Sequence, residues 1–306
     1  MCRLNIKYAV VILNYNTADD AIIAATSIIN NALCDDYVIC IVDGCSSKPN
    51  QKDILEAVNL PRTHVIYLQK NEGYAIGNNR GIRYLLARYD FQYTIIMNPD
   101  VVLKERGSID NLLLRLSNVG KEYCGIQPLV WTPYLGNNPC MQTCIRRVYS
   151  YFDCILDSFY PMRKLFLKTY QKIIYFKERP YNEILDFEVP SGCFFIIKTD
   201  VFEQVGLFDE STFLYAEEII LGYKLKQHHY KFLLDPSTFV IHEGGKSTGA
   251  HRTKVNVFSS KEEIRALIIY MKKYLHCNIL QLYLVKILYM TNLYIKLLLC
   301  YLKLYK

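Results

Sequence analysis

Residues 93–100 read YTIIMNPD, which is a run of β-favouring residues, then a turn stiffened by proline, then a carboxylate. Such a run bounded by Asn and Pro predicts a buried strand over 93–97. In open α/β sheets, ligands bind beyond the carboxyl ends of the strands, so Asp100 is expected to face a ligand crevice. A hard divalent cation on a diphosphate needs such an oxygen ligand. An isolated Asp in this position is more often a turn or cap residue, so the neighbouring segments decide.

The segments before this strand alternate between two sequence patterns, one typical of strands and one typical of helices. Apolar runs of four to eight residues alternate with stretches of helical periodicity through the first 120 residues. Strands are predicted near residues 8–13, 37–42, 64–68 and 93–97. One helix is predicted to begin at Asn16 or Thr17, and another is predicted over residues 107–118. A third, between them, is predicted to carry Ile82, Leu85, Leu86 and Tyr89 on one face. This alternation is typical of βαβ units and predicts a parallel sheet.

The pattern changes after residue 122. Further strands are predicted near 123–131, 187–197 and 231–241, with a helix starting near Glu217 between the last two. A later helix is predicted to carry Ile264, Leu267, Ile268, Met271 and Leu275 on one stripe.

An aromatic and basic stretch lies at about 141–181. Its residues 141–180 contain eight Lys/Arg and three Asp/Glu, together with nine Tyr and Phe. Two interpretations fit this composition: an amphipathic insertion that covers its own core, or a surface that contacts a membrane or a lipid-linked substrate.

The last 28 residues are almost entirely Leu, Ile, Tyr and Lys. Lys286 and Lys296 interrupt the apolar runs, so no window is expected to approach the roughly 20 apolar residues of a membrane-spanning helix. On a helical wheel, Gln281, Asn292, Lys296 and Lys303 fall on one side. This pattern indicates a helix that lies in a membrane interface or packs on a partner or core.

Composition and charge limit the function classes. The chain has 306 residues, of which 51% are hydrophobic and 21% charged, and this excludes a disordered protein. The net charge of +7 fits phosphate ligands or an anionic membrane surface and is too weak to indicate nucleic acid. The 11 cysteines form no CxxC pair, which predicts reduced, buried thiols and a cytoplasmic location. The first apolar run stops at Asn14 without a cleavage site, so it is predicted to be a strand.

Two more polar segments follow predicted strands. Asp43 ends the predicted strand 38–42, and residues 71–81, NEGYAIGNNRG, form a turn that leads into a helix. Small residues there would let a ligand approach the backbone, and Arg80 would suit a phosphate. The segment is not GxGxxG, which argues against a nicotinamide cofactor and an oxidoreductase.

Four later blocks complete the pattern: PSGC at 190–193, VGLFDE at 205–210, FLYAEE at 213–218 and HEGGKS at 242–247. In this order and spacing, with the earlier segments, they resemble the family 2 inverting glycosyltransferases, in particular the rhamnosyltransferase-like branch. The resemblance spans about residues 8–248. It implies the GT-A fold, a Rossmann-like α/β architecture, for residues 1–255, with a C-terminal amphipathic helical tail over 256–306.

The resemblance also implies a donor site. Asn14 and Asn16 lie in the opening block, residues 11–16 (VILNYN), which borders the nucleotide in this family. Asp43 matches the acid that hydrogen-bonds the base, and Asn79 with Arg80 matches the block that touches nucleotide and diphosphate.

A metal and a base are implied in the same way. Asn98 and Asp100 match a relaxed form of the metal-binding DxD motif, with Asp100 as the retained ligand of Mg²⁺ or Mn²⁺. His242 matches a histidine that completes the metal shell. Glu217 and Glu218 match the acidic pair whose second member is the base. Such a base takes the proton of the acceptor hydroxyl while the cation holds charge on the leaving diphosphate.

The implied function is inverting transfer of one sugar from a nucleotide-sugar donor to a glycan acceptor, lipid-linked, in cell-surface polysaccharide synthesis. The enzyme would be cytoplasmic, with peripheral contact at the inner face of the cell membrane, and would bind no nucleic acid. Ile220 replaces the second Asp of the acidic block. A catalytically degenerate paralogue that only binds nucleotide sugar or glycan is therefore the alternative.

Overall fold

The computed structural model describes residues 3–133, 140–141, 145–175, 181–243 and 256–302. Their strands are β1 (Leu4–Asn14), β2 (Tyr37–Asp43), β3 (Thr63–Tyr67), β4 (Tyr89–Met97), β5 (Val101–Leu103), β6 (Tyr123–Thr132), β7 (Cys140–Met141), β8 (Leu185–Phe187), β9 (Phe194–Lys198) and β10 (Lys231–His242). They form one sheet in the order β3-β2-β1-β4-β9-β6-β10-β5, with β7 beside β6 and β8 beside β10.

The first four strands form the predicted parallel sheet. β1 pairs with β2 and β4, and β2 pairs with β3, all in parallel. Helices cover such sheets on both faces, which explains why β2 is buried along its whole length and reads as a continuous apolar run. The register sets Asn14 opposite Asp43. Two predicted site residues therefore meet at the carboxyl edge of the sheet.

The helices of this half are α1 (Ala18–Asn31), α2 (Gln51–Ala57), α3 (Gly73–Leu86) and α4 (Ser108–Ser117). The predictions of α1, α3 and α4 are confirmed, except that α3 ends at Leu86 and does not include Tyr89. Tyr89 lies in β4, where it pairs with Leu4 of β1, and its hydroxyl hydrogen-bonds His64 at 2.7 Å. The chain leaves the helix after Leu86 because it must turn to enter the sheet.

The predicted strand over 187–197 is wrong as a single element. β8 pairs with β10, whereas β9 pairs with β4 and β6, so the two ends of this segment join different parts of the sheet. Pro190 and Gly192 lie in the break, where a proline removes a backbone donor and a glycine permits close approach. Residues 190–193 thus form the turn that leads into β9, which lies between β4 and β6 in the middle of the sheet.

The second half also contains helices from the insertion, the acidic block and the C-terminal segment. They are α5 (Tyr151–Ser158), α6 (Tyr160–Leu165), α7 (Leu167–Ile173), α8 (Thr199–Gln204), α9 (Glu217–Gln227), α10 (Val257–Lys273) and α11 (Ile279–Tyr301). Leu275, predicted on the stripe of α10, lies beyond the end of that helix. The remaining stripe residues are partly or fully buried.

The C-terminal helices pack on the rest of the protein. A second apolar cluster joins α5, α9, α10 and α11, and its buried members include Leu156, Ile220, Ile264, Met271, Leu282 and Val285. The hydroxyl of Tyr270 in α10 donates to the backbone carbonyl of Tyr149 at 2.6 Å. The domain boundary at residues 255/256 stays a prediction, but the segment after it shares a core with the insertion and with α9.

Helix α11 corrects the expectation about membrane-spanning length. Its 23 residues are long and apolar enough to cross a membrane by length and composition, with 28% of its most apolar window buried inside the protein. Counting only uninterrupted apolar residues was too strict, because a spanning helix tolerates isolated lysines. Leu282, Val285 and Leu293 nevertheless face the protein and are buried there.

The eight cysteines whose side chains the structure describes are free thiols, but Cys34 and Cys45 among them are exposed and not buried as predicted. Burial raises the pKa of Cys40 and Cys124 to about 12. Such thiols stay protonated and unreactive at neutral pH.

Candidate active site

The first candidate site lies where β1 and β2 end. The side-chain amide of Asn14 donates to Oδ1 of Asp43 at 2.7 Å, and the hydroxyl of Ser46 donates to the same oxygen at 2.6 Å. Oδ1 of Asn14 accepts from the backbone N–H of Thr17 at 3.1 Å, at the start of α1. The backbone N–H of Ser46 also donates to Oδ2 of Asp43 at 3.0 Å, so three groups hold this carboxylate in one orientation, as a residue that orients a ligand would require.

Asn16 connects the same two loops from the other side. It adopts a left-handed conformation with φ 64°, and its backbone N–H donates to the hydroxyl of Ser46 at 2.8 Å. Its side-chain oxygen accepts from the backbone N–H groups of Ser47 and Lys48, each at 2.8 Å. The opening block and the Asp43 loop therefore form one rigid edge.

Asn79 does not face this edge, and its predicted contact with the nucleotide is corrected. It is fully buried, and its amide donates to the carbonyl of Phe208 and to Glu210, both at 2.9 Å. Its oxygen accepts from the N–H of Phe208 at 3.2 Å, so all of its hydrogen-bonding groups hold the 205–210 turn. Arg80, one residue later, is exposed and lies 3.5 Å from Glu72.

The glycines of the 71–81 segment also have a packing role. A Cβ at Gly77 would lie 2.5 Å from the Leu13 side chain, and one at Gly81 would lie 2.7 Å from those of Val11 and Val42. These glycines let α3 sit directly on the sheet. The structure uses them for helix–sheet contact, where the sequence pattern indicated ligand approach.

The predicted metal ligands meet at the strand edge. Nε2 of His242 lies 3.3 Å from Oδ1 of Asp100, and both side chains are largely buried. Antiparallel pairing of β5 with β10 sets His242 opposite Val101, which follows Asp100 in the chain. Residues 244–247 of the same sequence block lie outside the described residues. Asn98, in the turn before Asp100, is partly buried.

This pair suits a divalent cation that also binds phosphate oxygens. An imidazole nitrogen and a carboxylate oxygen 3.3 Å apart can both reach one ion at ordinary ligand distances. No group of three or more His, Cys, Asp or Glu side chains in the described part of the chain could hold a metal by itself. When a protein supplies only two ligands, water and a diphosphate can fill the remaining coordination positions of the ion, which is how Mg²⁺ is usually bound.

Two neighbours of His242 favour the protonated form of its imidazole. Burial lowers the pKa of His242, but the neighbouring Cys193 and Asp100 outweigh burial and raise this pKa to about 10. The imidazolium then occupies the place of positive charge beside Asp100. Binding of a cation through Nε2 would have to displace that proton.

The acidic pair begins α9 after a strained turn. Tyr215 and Ala216 have φ 74° and 64°, although neither is glycine. Residues held in such conformations cluster at functional sites. Glu217 is only 2% exposed, and its Oε1 has no hydrogen-bond partner among the described residues. Glu218, by contrast, lines an open cavity of about 300 Å³.

The two carboxyls differ in proton affinity. Burial, and then the charge of Glu218, raises the pKa of Glu217 well above its ordinary value. Burial also raises the pKa of Glu218, while backbone N–H groups and Arg146 act in the opposite direction. Because neighbouring like charges resist joint ionisation, these directions favour Glu217 as the protonated member of the pair and Glu218 as the ionised one.

Gly192 connects the acidic pair to the metal pair. A Cβ on it would lie 1.8 Å from Oε1 of Glu218, so only glycine fits beside this carboxylate without displacing it. The backbone carbonyl of the next residue, Cys193, accepts a hydrogen bond from the backbone N–H of Asn98 at 2.8 Å. The thiol of Cys193 contacts His242. The base candidate and the metal candidates therefore lie beside consecutive residues of one turn.

Three residues of the cavity next to Glu218 were not found from the sequence. Arg146 comes from the insertion, Glu263 from α10 and Tyr289 from α11. No motif marks them, since they lie far apart in the chain and only packing brings them together. A second cavity of about 390 Å³ is lined by Leu13, Tyr15, Tyr74, Asn98, Pro99 and Phe258, among others.

A mixed α/β sheet in this strand order, with polar side chains gathered where its central strands end, is the architecture of the GT-A class. The solved structures agree. A mannosyltransferase from Pyrobaculum calidifontis, in complex with GDP-Man and Mn²⁺, has a TM-score of 0.57 at 13% identity, covering 91% of this chain and 66% of the other. GalNAc-T7 with UDP, GalNAc and Mn²⁺ has a TM-score of 0.62 at 18% identity, covering 87% and 48%. At these identities the likeness shows the fold.

The family follows from the sequence match. Residues 9–132 match the model described as Glycosyl transferase family 2, and this part of the chain is a family 2 glycosyltransferase domain. An N-acetylglucosaminyl-diphospho-decaprenol L-rhamnosyltransferase from Mycobacterium tuberculosis is 29% identical over 157 residues, which are 51% of this chain and 48% of that protein. The chain thus spans about half the length of the curated relatives it matches.

Proposed function

We propose that the chain is an inverting glycosyltransferase that moves one sugar from a nucleotide-sugar donor to a lipid-linked glycan acceptor. The observation that carries this proposal is that Glu218 and the Asp100–His242 pair lie beside consecutive residues of one turn, Glu218 beside Gly192 and His242 beside Cys193. A single displacement at an anomeric carbon needs a base for the incoming hydroxyl on one side and charge stabilisation for the leaving group on the other.

The roles of this chain's residues follow from their positions. Glu218 takes the proton of the acceptor hydroxyl, and the attack of that oxygen on the donor carbon inverts the configuration. Asn14, Asn16 and Asp43 orient the nucleotide from the rigid edge. Asp100 and His242 would hold Mg²⁺ or Mn²⁺, which when bound supplies positive charge for the leaving diphosphate. Two related folds were solved with Mn²⁺, which supports this choice of ion.

Ile220 does not argue for the degenerate alternative. It is fully buried in the second apolar cluster with residues of α10 and α11, and it does not line the cavity beside Glu218. An apolar residue suits this position because the C-terminal helices cover it. The substitution therefore leaves the carboxylate of Glu218 in place.

Metal-dependent binding and transfer from a panel of UDP-, GDP- and dTDP-linked sugars test the proposal. At least one donor is expected to bind more tightly with Mn²⁺ or Mg²⁺ than with a chelator, and to give an inverted product with a polyprenyl-diphospho-sugar acceptor. The relative from Mycobacterium tuberculosis makes nucleotide-activated L-rhamnose and N-acetylglucosaminyl-diphospho-polyprenol the first pair to try. Donor binding without any transfer or hydrolysis would favour the degenerate alternative instead.

A lipid-linked acceptor agrees with the apolar surface of the second half. Exposed side chains of α11 include Ile279, Leu280, Tyr283, Leu284, Ile287, Tyr294, Ile295 and Leu298. On the insertion, Phe152, Tyr160, Leu165, Phe166 and Leu167 are exposed as well, and α5 packs against α11. Lysines and arginines accompany both sets. Large exposed apolar patches of this kind mark interaction sites, and with basic residues they suit an anionic membrane surface.

Vesicle co-sedimentation tests this peripheral contact. Full-length protein is expected to sediment with anionic vesicles, more strongly at low than at high salt, because apolar insertion and lysine attraction act together. Exchanging Ile287 and Leu298 for Ser should weaken binding at least about tenfold, since each buried apolar side chain contributes about 1.5–3 kcal/mol. Deletion of α11 is unsuitable, because its buried face closes the second apolar cluster.

Leu114→Ser on α4 is the matched control, because Leu114 is equally exposed but belongs to the first half. It should bind vesicles like the unchanged protein. Full-length protein that stays in the supernatant at both salt concentrations would show that this face is not a membrane surface.

A further inference from the structure

The cavity beside Glu218 is built by parts of the chain outside the family match. Its walls come from the insertion, the 189–192 turn, the start of α9 and both C-terminal helices. Residues 9–132, which match the family model, contribute none of the lining side chains. The candidate nucleotide-binding residues Asn14, Asn16 and Asp43 thus lie in the part that matches the family, whereas this cavity is lined by segments outside that part.

The lining is rich in groups that bind hydroxyls. It contains the carboxylates of Asp157, Glu218 and Glu263, the guanidinium of Arg146 and the hydroxyls of Ser158, Ser191 and Tyr289. Carboxylates accept, guanidinium groups donate, and hydroxyls do both, so together they match the mixed donors and acceptors of a polyol. The rings of Tyr149 and Tyr215 add apolar faces. A volume of about 300 Å³ lies at the lower end of small-ligand pockets.

The charges disfavour a phosphate in the cavity. Three carboxylates line it against one guanidinium, and Asp157 is paired at 2.9 Å with Arg163 of the neighbouring helix. A diphosphate would meet carboxylates that lack enough positive charge to compensate. A neutral, hydroxyl-rich ring carries no such cost.

The far wall is a pair from two different helices. The hydroxyl of Tyr289 in α11 donates to Oε2 of Glu263 in α10 at 2.5 Å. This bond fixes the carboxylate, whose other oxygen stays available to accept from a ligand. Glu218 and this pair both line the cavity, so a ring between them could present one hydroxyl to Glu218 and others to Glu263.

We propose that this cavity binds the acceptor sugar and that Glu263 and Tyr289 determine which sugar is accepted. The proposal rests on the proposed function for the identity of Glu218 as the base. It places acceptor selection in the C-terminal helices, next to the apolar surface where the lipid of the acceptor would lie. The diphosphate of the acceptor would remain outside the cavity.

Saturation-transfer NMR with simple sugars tests the site without donor or metal. The probes are the methyl β-glycosides of N-acetylglucosamine, glucose, galactose and mannose, at millimolar concentration with the full-length protein. At least one glycoside is expected to receive saturation. Glu263→Gln and Tyr289→Phe should each weaken its binding about tenfold or change which glycoside binds best, because the first replaces an acceptor oxygen by an NH2 donor and the second removes the hydroxyl that holds the carboxylate.

Tyr294→Phe is the matched control, because Tyr294 lies on the exposed face of the same helix. It should leave binding unchanged, and thermal unfolding of all three variants reports whether they fold. No saturation of any glycoside, or the same affinities and preferences in folded Glu263→Gln and Tyr289→Phe, would overturn the proposal. Nucleotide-sugar binding is measured separately, so its failure would refute the proposed function while leaving the result for the cavity readable.

Discussion

Glu218→Gln is expected to reduce turnover by about 10² or more while donor binding is retained. Glutamine keeps the size of the side chain and a carbonyl oxygen for the Gly192 N–H, but it cannot take the proton of the acceptor hydroxyl. The loss should therefore appear in kcat with the best donor and acceptor. Calorimetric titration of donor with Mn²⁺ should give nearly the same affinity as for the unchanged protein.

The pH profile adds a second readout for the same carboxylate. Burial raises the pKa of Glu218, and a base must be deprotonated to act. The rate should therefore fall as the pH drops through a pKa above the ordinary Glu value of about 4.3, and the variant should lose this dependence.

Gly192→Ala reaches the same group independently. The new methyl group would displace the Glu218 carboxylate and should also lower turnover, whereas Gly120→Ala, whose methyl group would displace only the exposed Glu122 carboxylate, is the matched control. If Glu217→Gln abolished turnover and Glu218→Gln did not, the base would be Glu217.

Asp100→Ala is expected to remove metal-dependent donor binding, with a loss of at least about 10² in affinity measured in the presence of Mn²⁺. Even groups that only orient metal ligands cost 10- to 100-fold when they are removed, and Asp100 is a direct ligand in the proposed site. Because His242 alone would hold the cation weakly, the remaining donor affinity should no longer respond to a chelator. The fold should survive, since Asp100 lies in the turn between β4 and β5 and not within a strand of the sheet.

Asp90→Ala is the matched control, because Asp90 is an exposed aspartate paired only with Arg3 in the described structure. Its donor binding and metal dependence should equal those of the unchanged protein. An Asp100→Ala protein that bound donor and Mn²⁺ as tightly as the unchanged protein would show that the metal site lies elsewhere.

Several features of the fold were predictable because their causes are local. The strands that became β1, β2, β3 and β4 are short apolar runs between polar turns, and burial on both faces of a parallel sheet requires that composition. The start of α9 at Glu217 and the place of Asp100 after a strand were also predicted. These elements depend on residues within a few positions of one another.

Errors arose where distant segments determine the role of a residue. Asn79 reads as a ligand residue, yet it satisfies the backbone of Phe208, 129 residues away. The single strand predicted over 187–197 divides because β10 and β4 each pair with one end of it. Neither partner can be identified from the local pattern, since pairing is settled by the whole sheet.

The sequence by itself determined the class of fold and the family of residues 9–132, and it supplied the candidate metal and base residues, because motif spacing and strand periodicity depend only on the order of residues along the chain. The tertiary structure alone decided how these positions meet. It set His242 against Asp100 through β5–β10 pairing and Glu218 beside Gly192. It also closed the cavity with Glu263 and Tyr289, since helices that bury an apolar face choose their neighbours by packing, and no sequence pattern records that choice.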